Sequence, residues 1–158
     1  MTGTTPRGWR VSEQRDYGSH LPVLRALLAQ IQPHNVLEYG AGLFSTPEFL
    51  RRDELVRVIS VEPDEAWRSK VARACSDPRL VLRPEIHVDP AFFDFIFIDN
   101  GECAADRLEV IRHVLSRPDH PITVVHDADV VEYAAAIKEL AIYHTIVATD
   151  PPTAVVWS

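Results

Sequence analysis

Val36-Leu37-Glu38-Tyr39-Gly40-Ala41-Gly42-Leu43-Phe44-Ser45-Thr46 is the stretch that decides the fold. An apolar run meets an acid, then two glycines, then a helix start. Glycines at that point let the backbone turn sharply and approach a ligand with no Cβ in the way. The helix behind them turns its free N–H groups toward that ligand. Ser45-Thr46-Pro47-Glu48 fits a capping box, with Ser45 as N-cap, Glu48 as its reciprocal partner and Pro47 in the first turn. A strand, a glycine loop and a helix in this order make a nucleotide or dinucleotide cradle.

Reading outward, Val58-Ile59-Ser60-Val61-Glu62 is the next strand, with Glu62 at its carboxyl end. Glu62 stands about 20 residues past the glycines, where an acid accepts from ribose hydroxyls. Folds that bind NAD and folds that bind S-adenosylmethionine share this acid and differ in the loop. The dinucleotide fingerprint asks for a third glycine, and Ser45 occupies that position. Glu38, two residues before Gly40, suits a ligand with an ammonium and a sulfonium better than one with a pyrophosphate.

Glu38-Tyr39-Gly40-Ala41-Gly42 resembles motif I of the class I S-adenosylmethionine-dependent methyltransferases. Glu62 resembles their acid after the second strand. Phe93-Asp94-Phe95-Ile96-Phe97-Ile98-Asp99-Asn100 resembles their fourth strand with its terminal acid. The resemblance runs from about Pro33 to the C-terminus. It implies a cofactor site of Glu38, Gly40 and Gly42 around the methionine portion, Glu62 on the ribose, and Asp99 toward the amino-acid end or the substrate.

The order of elements fits that family. Leu21, Leu24, Leu27, Leu28 and Ile31 have helical spacing, and Pro33 ends the helix. Strands are expected at 36–39, 56–62, 80–82, 94–99 and 122–125, with helices at 46–53, 64–75, 104–115 and 130–140. Asp64 is the expected cap of the third helix. Strands alternating with helices mean a doubly wound α/β fold with a mostly parallel sheet and helices on both faces. Two final β-rich runs, 143–148 and 154–157, are joined by Asp150-Pro151-Pro152 and pair antiparallel, giving seven strands. The link from Arg83 to Phe93 holds Pro84 and Pro90 and is too short for the helix that the family places there. One domain is expected over 1–158, with 1–19 as an arm or lid and 20–158 as the core.

A net charge of −7 argues against nonspecific nucleic-acid binding. Arg51 and Arg52 read as a solvated helix face. No stretch approaches the ~20 apolar residues of a membrane span, and no apolar signal core opens the chain. Two cysteines, Cys75 and Cys103, without metal spacing, suit a reduced, cytoplasmic setting.

Ligands on open α/β sheets bind beyond the carboxyl ends of the strands. The polar strand-end residues are Glu38, Glu62, Asp99, His126 and Asp127. His126 and Asp127 are the catalytic candidates, His126 because its ordinary pKa suits a base at neutral pH. In the catechol O-methyltransferase type of the family, a divalent metal lies between an Asp ending the fourth strand and an Asp-Asn pair after the fifth. Asp99 and Asp127 match two of these places. Ala128 stands where the Asn would be, so Asp129 or Asn100 would have to complete a magnesium site. Without a metal, Asp127 reads as an N-cap or substrate contact. His20, with Tyr17 and Ser19, reads as an ordinary helix N-terminus or, as the resemblance implies, part of a segment that closes over the site; Trp67 reads as an adenine stack or sheet-edge cover, and Trp157 as core.

The expected function is methyl transfer from S-adenosylmethionine to a small-molecule acceptor, at oxygen. The alternatives are a non-catalytic binding protein of the same fold and, behind it, an NAD-dependent oxidoreductase. With so little chain for a lid, the site is open, or completed by residues 1–19 or by a second copy of the chain.

Overall fold

The computed structural model describes residues 18–101 and 104–158. Helix α1 (Leu21–Ile31) leads into β1 (Asn35–Tyr39), α2 (Ser45–Leu50), β2 (Arg57–Val61), α3 (Glu65–Ala74) and β3 (Leu80–Arg83). Then follow β4 (Phe95–Ile98), α4 (Ala104–Leu115), β5 (Ile122–His126), α5 (Val131–Leu140), β6 (Tyr143–Val147) and β7 (Thr153–Trp157). The strands form one sheet in the order β3-β2-β1-β4-β5-β7-β6. The first five are parallel, and β7 runs antiparallel to both β5 and β6.

Alternation along the strands sends successive side chains to opposite faces. Val36, Val58, Phe95, Phe97 and Val124 pack under α1 and α2 with Leu24, Leu28 and Phe49. Leu37, Tyr39, Ile96, Ile98 and Val125 pack under α4 and α5 with Val110, Ile111 and Ile137. Phe49 sets its ring edgewise against both Phe95 and Phe97, at 6.2 Å between centroids. All four residues of β4 are buried because helices cover the sheet on both sides of it.

Asp64 caps α3, accepting from the Trp67 N–H at 2.7 Å. The link between β3 and β4 holds only a 3-10 turn, Pro90–Phe92. A groove of about 420 Å³ lined by Ile59, Arg83, Glu85, His87, Val88 and Asp89 opens there onto the sheet. Trp157 corrects its expected place in the core. It is 38% exposed and stacks on Tyr143 of the edge strand at 6.1 Å. Cys75 is a buried free thiol, and Cys103 lies outside the described residues. No helix among the described residues is long and apolar enough to cross a membrane.

Candidate active site

The parallel strands bring their carboxyl ends together at β1, β2, β4 and β5, beside the glycine loop. Gly40 has φ +89, and a Cβ there would overlap the Asp99 carbonyl oxygen and stand 2.7 Å from the Cα and N of Asn100. The loop after β1 therefore packs directly on the loop after β4. At Gly42 the one tight contact of a Cβ would be the Ser45 hydroxyl, at 2.9 Å, with the Phe44 and Ser45 nitrogens at 3.8 Å, and the backbone φ is not left-handed.

Glu38 lies on the α2 face of β1, opposite Ser60 of β2. It is completely buried. Ser45 donates to its Oε1 at 2.5 Å, and Thr46 and Ser60 donate to Oε2 at 2.7 and 2.5 Å. Thr46 also accepts the Gly42 N–H at 3.0 Å. The acid thus shapes the glycine loop from beneath and is shielded from the cleft, which corrects the expected direct contact with a cofactor. The capping box is corrected with it. Phe44, not Ser45, precedes α2, and Ser45 and Thr46 turn inward because a buried carboxylate needs donors more than a helix end does. Glu48 is buried among Arg25, Arg51 and Arg52, at 3.1, 2.9 and 3.6 Å, so the paired arginines are partly an anchor and not merely a solvated face.

Burial pushes the Glu38 carboxyl from 4.5 up to about 7, against the pull of the Ser45, Ser60 and Thr46 hydroxyls. The unfolded chain releases this proton near 4.5 and the folded one near 7. Its contribution to stability is therefore full below pH 4.5 and lost as pH rises to 7, by up to about 3 kcal/mol. Glu38→Gln should remove that slope. Urea unfolding of both proteins across the window checks it, and parallel curves would refute the raised carboxyl.

Glu62 is half-buried at the end of β2. Its Oε1 accepts the Asp64 N–H at 2.9 Å, and its Oε2 has no protein partner among the described residues. Burial raises its carboxyl above the usual range. Trp67 donates its indole N–H to the Ala41 carbonyl at 2.7 Å, bracing the glycine loop.

At the ends of β4 and β5, Asp99 Oδ1 lies 3.1 Å from His126 Nδ1, and His126 Nε2 lies 2.8 Å from the Ser19 hydroxyl. The carboxylate selects the tautomer with the proton on Nδ1, which leaves Nε2 as acceptor. Burial opposes charge on both partners. Even so, the Asp99 carboxyl is held below its usual value by His126, Arg107 and His20, and the imidazole of His126 is raised by Asp99 and Asp127. His20 is buried against Phe97 and His126, at ring distances of 4.8 and 4.9 Å. Burial lowers it to about 4, so its imidazole is neutral.

Arg107, from α4, is the residue that sequence reasoning missed. It is 6% exposed. Its guanidinium reaches Asp127 Oδ2 at 2.5 Å and Asp99 Oδ1 at 3.1 Å, and its Nε donates to the Asn100 carbonyl at 2.8 Å. This fixed cation stands between the two aspartates expected to hold magnesium, and Asp129 is exposed. The Asp99, Asp127 and Asp129 metal reading is corrected accordingly. Asp127 has φ +56 and is paired to Arg107, so neither an N-cap nor a free base describes its carboxylate. Ser19 and His20 bring the start of the described chain into the site; residues 1–17, the rest of the expected lid, lie outside the described residues.

Comparison with protein-family models and with curated proteins finds no match. Solved structures do match. The spermidine synthase of Thermotoga maritima is 14% identical at a TM-score of 0.69, over 91% of this chain and 60% of its own. The chain thus spans about three-fifths of that protein. A putative caffeoyl-CoA O-methyltransferase from Staphylococcus aureus is 14% identical at 0.63, over 95% of this chain and 84% of its own. The N-methyltransferase NodS from Bradyrhizobium japonicum WM9, in complex with S-adenosyl-L-homocysteine, is 15% identical at 0.60, over 96% and 91%. Together with the strand order, these likenesses show that the chain has the class I methyltransferase fold.

Proposed function

We propose that the chain binds S-adenosylmethionine at the carboxyl ends of β1, β2 and β4 and moves its methyl group to an oxygen of a small acceptor. The carrying observation is the hydrogen-bonded row Ser19–His126–Asp99 set against the glycine loop, with Gly40 in contact with the Asp99 backbone. A base and a cofactor cradle are thereby held in one rigid corner.

The cradle fits that ligand on two counts. Gly42 keeps the loop free of a Cβ beside Ser45, and Glu62 offers a free carboxylate oxygen where ribose hydroxyls would lie. When bound, S-adenosylmethionine supplies a methyl carbon on positive sulfur, which an oxygen attacks in line while the C–S electron pair returns to sulfur. Gly40 and Gly42 give backbone contact to the methionine portion, and Glu38 holds their loop in shape. The acceptor hydroxyl takes the place of the Ser19 hydroxyl, and its proton passes to His126 Nε2. Asp99 orients that imidazole and stabilises it once protonated. The antiparallel β6–β7 end is foreign to a dinucleotide-binding half, which favours this reading over a nicotinamide oxidoreductase.

Calorimetric titration should give binding of S-adenosylmethionine and S-adenosylhomocysteine and none of NAD. Gly42→Val should fold yet bind at least about tenfold more weakly, since its branches fill the loop mouth. Unchanged affinity in a folded Gly42→Val protein would falsify the cradle. Cofactor binding with no transfer to any hydroxylated acceptor would move the conclusion to a binding protein.

A further inference from the structure

We infer that His20, Asp99 and His126 form a binding site for a divalent transition-metal ion of the zinc, cobalt or iron type. One ligand atom from each of the three lies within 4.8 Å of the others, and among the described residues this is the group with that geometry. Two imidazoles and one carboxylate are a ligand set that such ions favour over magnesium, which prefers oxygen.

His20 carries the inference. Its side chain is 2% exposed, and neither ring nitrogen has a hydrogen-bond partner. An unsatisfied buried nitrogen is costly, and chains seldom keep one without use. Here Nδ1 points toward Asp99 Oδ2 at 3.9 Å, too far for a hydrogen bond. That gap suits a bridging ion. Bonds of about 2.0–2.2 Å place two ligand atoms of one metal about 3–4 Å apart.

The rest of the pocket is compatible. Arg107 approaches Asp99 on Oδ1, away from the Oδ2 that His20 faces. Two carboxylates, Asp99 and Asp127, face one guanidinium in this corner, which favours a cation. Phe97 walls off one side of His20. Ser19 holds the far ring nitrogen of His126, Nε2, and leaves Nδ1 as the nitrogen turned toward Asp99.

The site deepens the proposed methyl transfer and rests on it for its role. With the ion bound, His126 would be a ligand, and the base role proposed above would belong to the ion-free protein. The ion would then supply a Lewis acid that lowers the pKa of an acceptor hydroxyl reaching it, whose proton would leave to solvent. Metal uptake itself does not depend on that reading.

The test uses the full chain, stripped with chelator, dialysed and titrated with cobalt(II). One equivalent should bind and give visible d–d absorption, and zinc should displace it. X-ray absorption of the zinc-loaded protein should count two imidazoles. His20→Phe should weaken cobalt binding at least about tenfold while leaving S-adenosylmethionine affinity nearly unchanged. Should that variant fail to fold, the imidazole count on the unaltered chain decides alone. No stoichiometric cobalt, fewer than two imidazoles, or equal uptake by folded His20→Phe would overturn the site. Loss of S-adenosylmethionine binding alongside an intact cobalt spectrum would instead sink the methyl-transfer reading and leave the metal standing.

Discussion

Gly40→Ala should cost at least about 3 kcal/mol and lower the melting temperature by about 10 °C. Two separate penalties add. At φ +89 a Cβ is strained whatever surrounds it, by about 1–2 kcal/mol. The added carbon would also overlap the Asp99 carbonyl and press on the Asn100 backbone, and backbone cannot rotate away as a side chain can. Relief requires the loops after β1 and β4 to part, which breaks the corner where cradle and base meet. Gly42→Ala is the control. There the first contact is a side-chain atom, the Ser45 hydroxyl, which can rotate at the expense of its bond to Glu38, so the cost should be about 1 kcal/mol. Thermal unfolding of the two variants measures the difference. Equal melting temperatures would mean that the tight approach of the two loops is not a real constraint.

The contrast also shows what a glycine pattern discloses. Gly40 and Gly42 are equivalent letters in the motif, and the motif assigns both to the cofactor. Only the fold separates them, because the demand on Gly40 comes from Asp99 and Asn100, some sixty positions away. Local signals behaved differently. Hydrophobic spacing, Pro33, the Asp64 cap and the Pro-bearing link after β3 are written within a few residues, and the elements lie where those signals put them. Glu38, Glu62, Asp99, His126 and Asp127, read as strand-end residues, do lie at or beside the carboxyl ends of β1, β2, β4 and β5, because a parallel sheet aligns those ends whatever the loops do.

What stayed hidden was pairing between elements. Ser45-x-x-Glu48 satisfies a capping box on paper. Ser45 turns away because Glu38 sits below it with no water to accept from. The partner Ser60 becomes visible only once the β1–β2 register sets it across from Glu38. His20 and Ser19 looked like the polar start of a helix, which they also are. Their meeting with His126 spans more than a hundred residues of chain. Arg107 falls in an amphipathic helix rich in charge, where one arginine is no more conspicuous than Arg112, which pairs with Glu139 at the surface.

Arg107→Met should destabilise the protein by about 3 kcal/mol, lowering the melting temperature by about 10 °C. Methionine keeps much of the length and apolar stem, so the loss is electrostatic. Asp99 and Asp127 would keep only the His126 imidazole, at 3.1 and 3.6 Å, as a partner, and the Asn100 carbonyl would lose its donor. The carboxylates are 24% and 31% exposed, which lets water relieve part of the strain and keeps the cost at the lower end for a broken buried pair. Arg107→Lys should recover little, since one ammonium cannot fork to two carboxylates. Removing the guanidinium also vacates the space between those acids. Millimolar magnesium should then raise the melting temperature of Arg107→Met while leaving the unaltered protein unmoved, because carboxylates relieved of the guanidinium suit that ion and a pair bridged by it does not. Turnover should fall further than cofactor affinity, as Asp99 loses the brace that fixes it beneath His126 while Glu62 makes no contact with Arg107. An Arg107→Met protein that melts within about 2 °C of the parent, with unchanged turnover, would show that the guanidinium merely fills space.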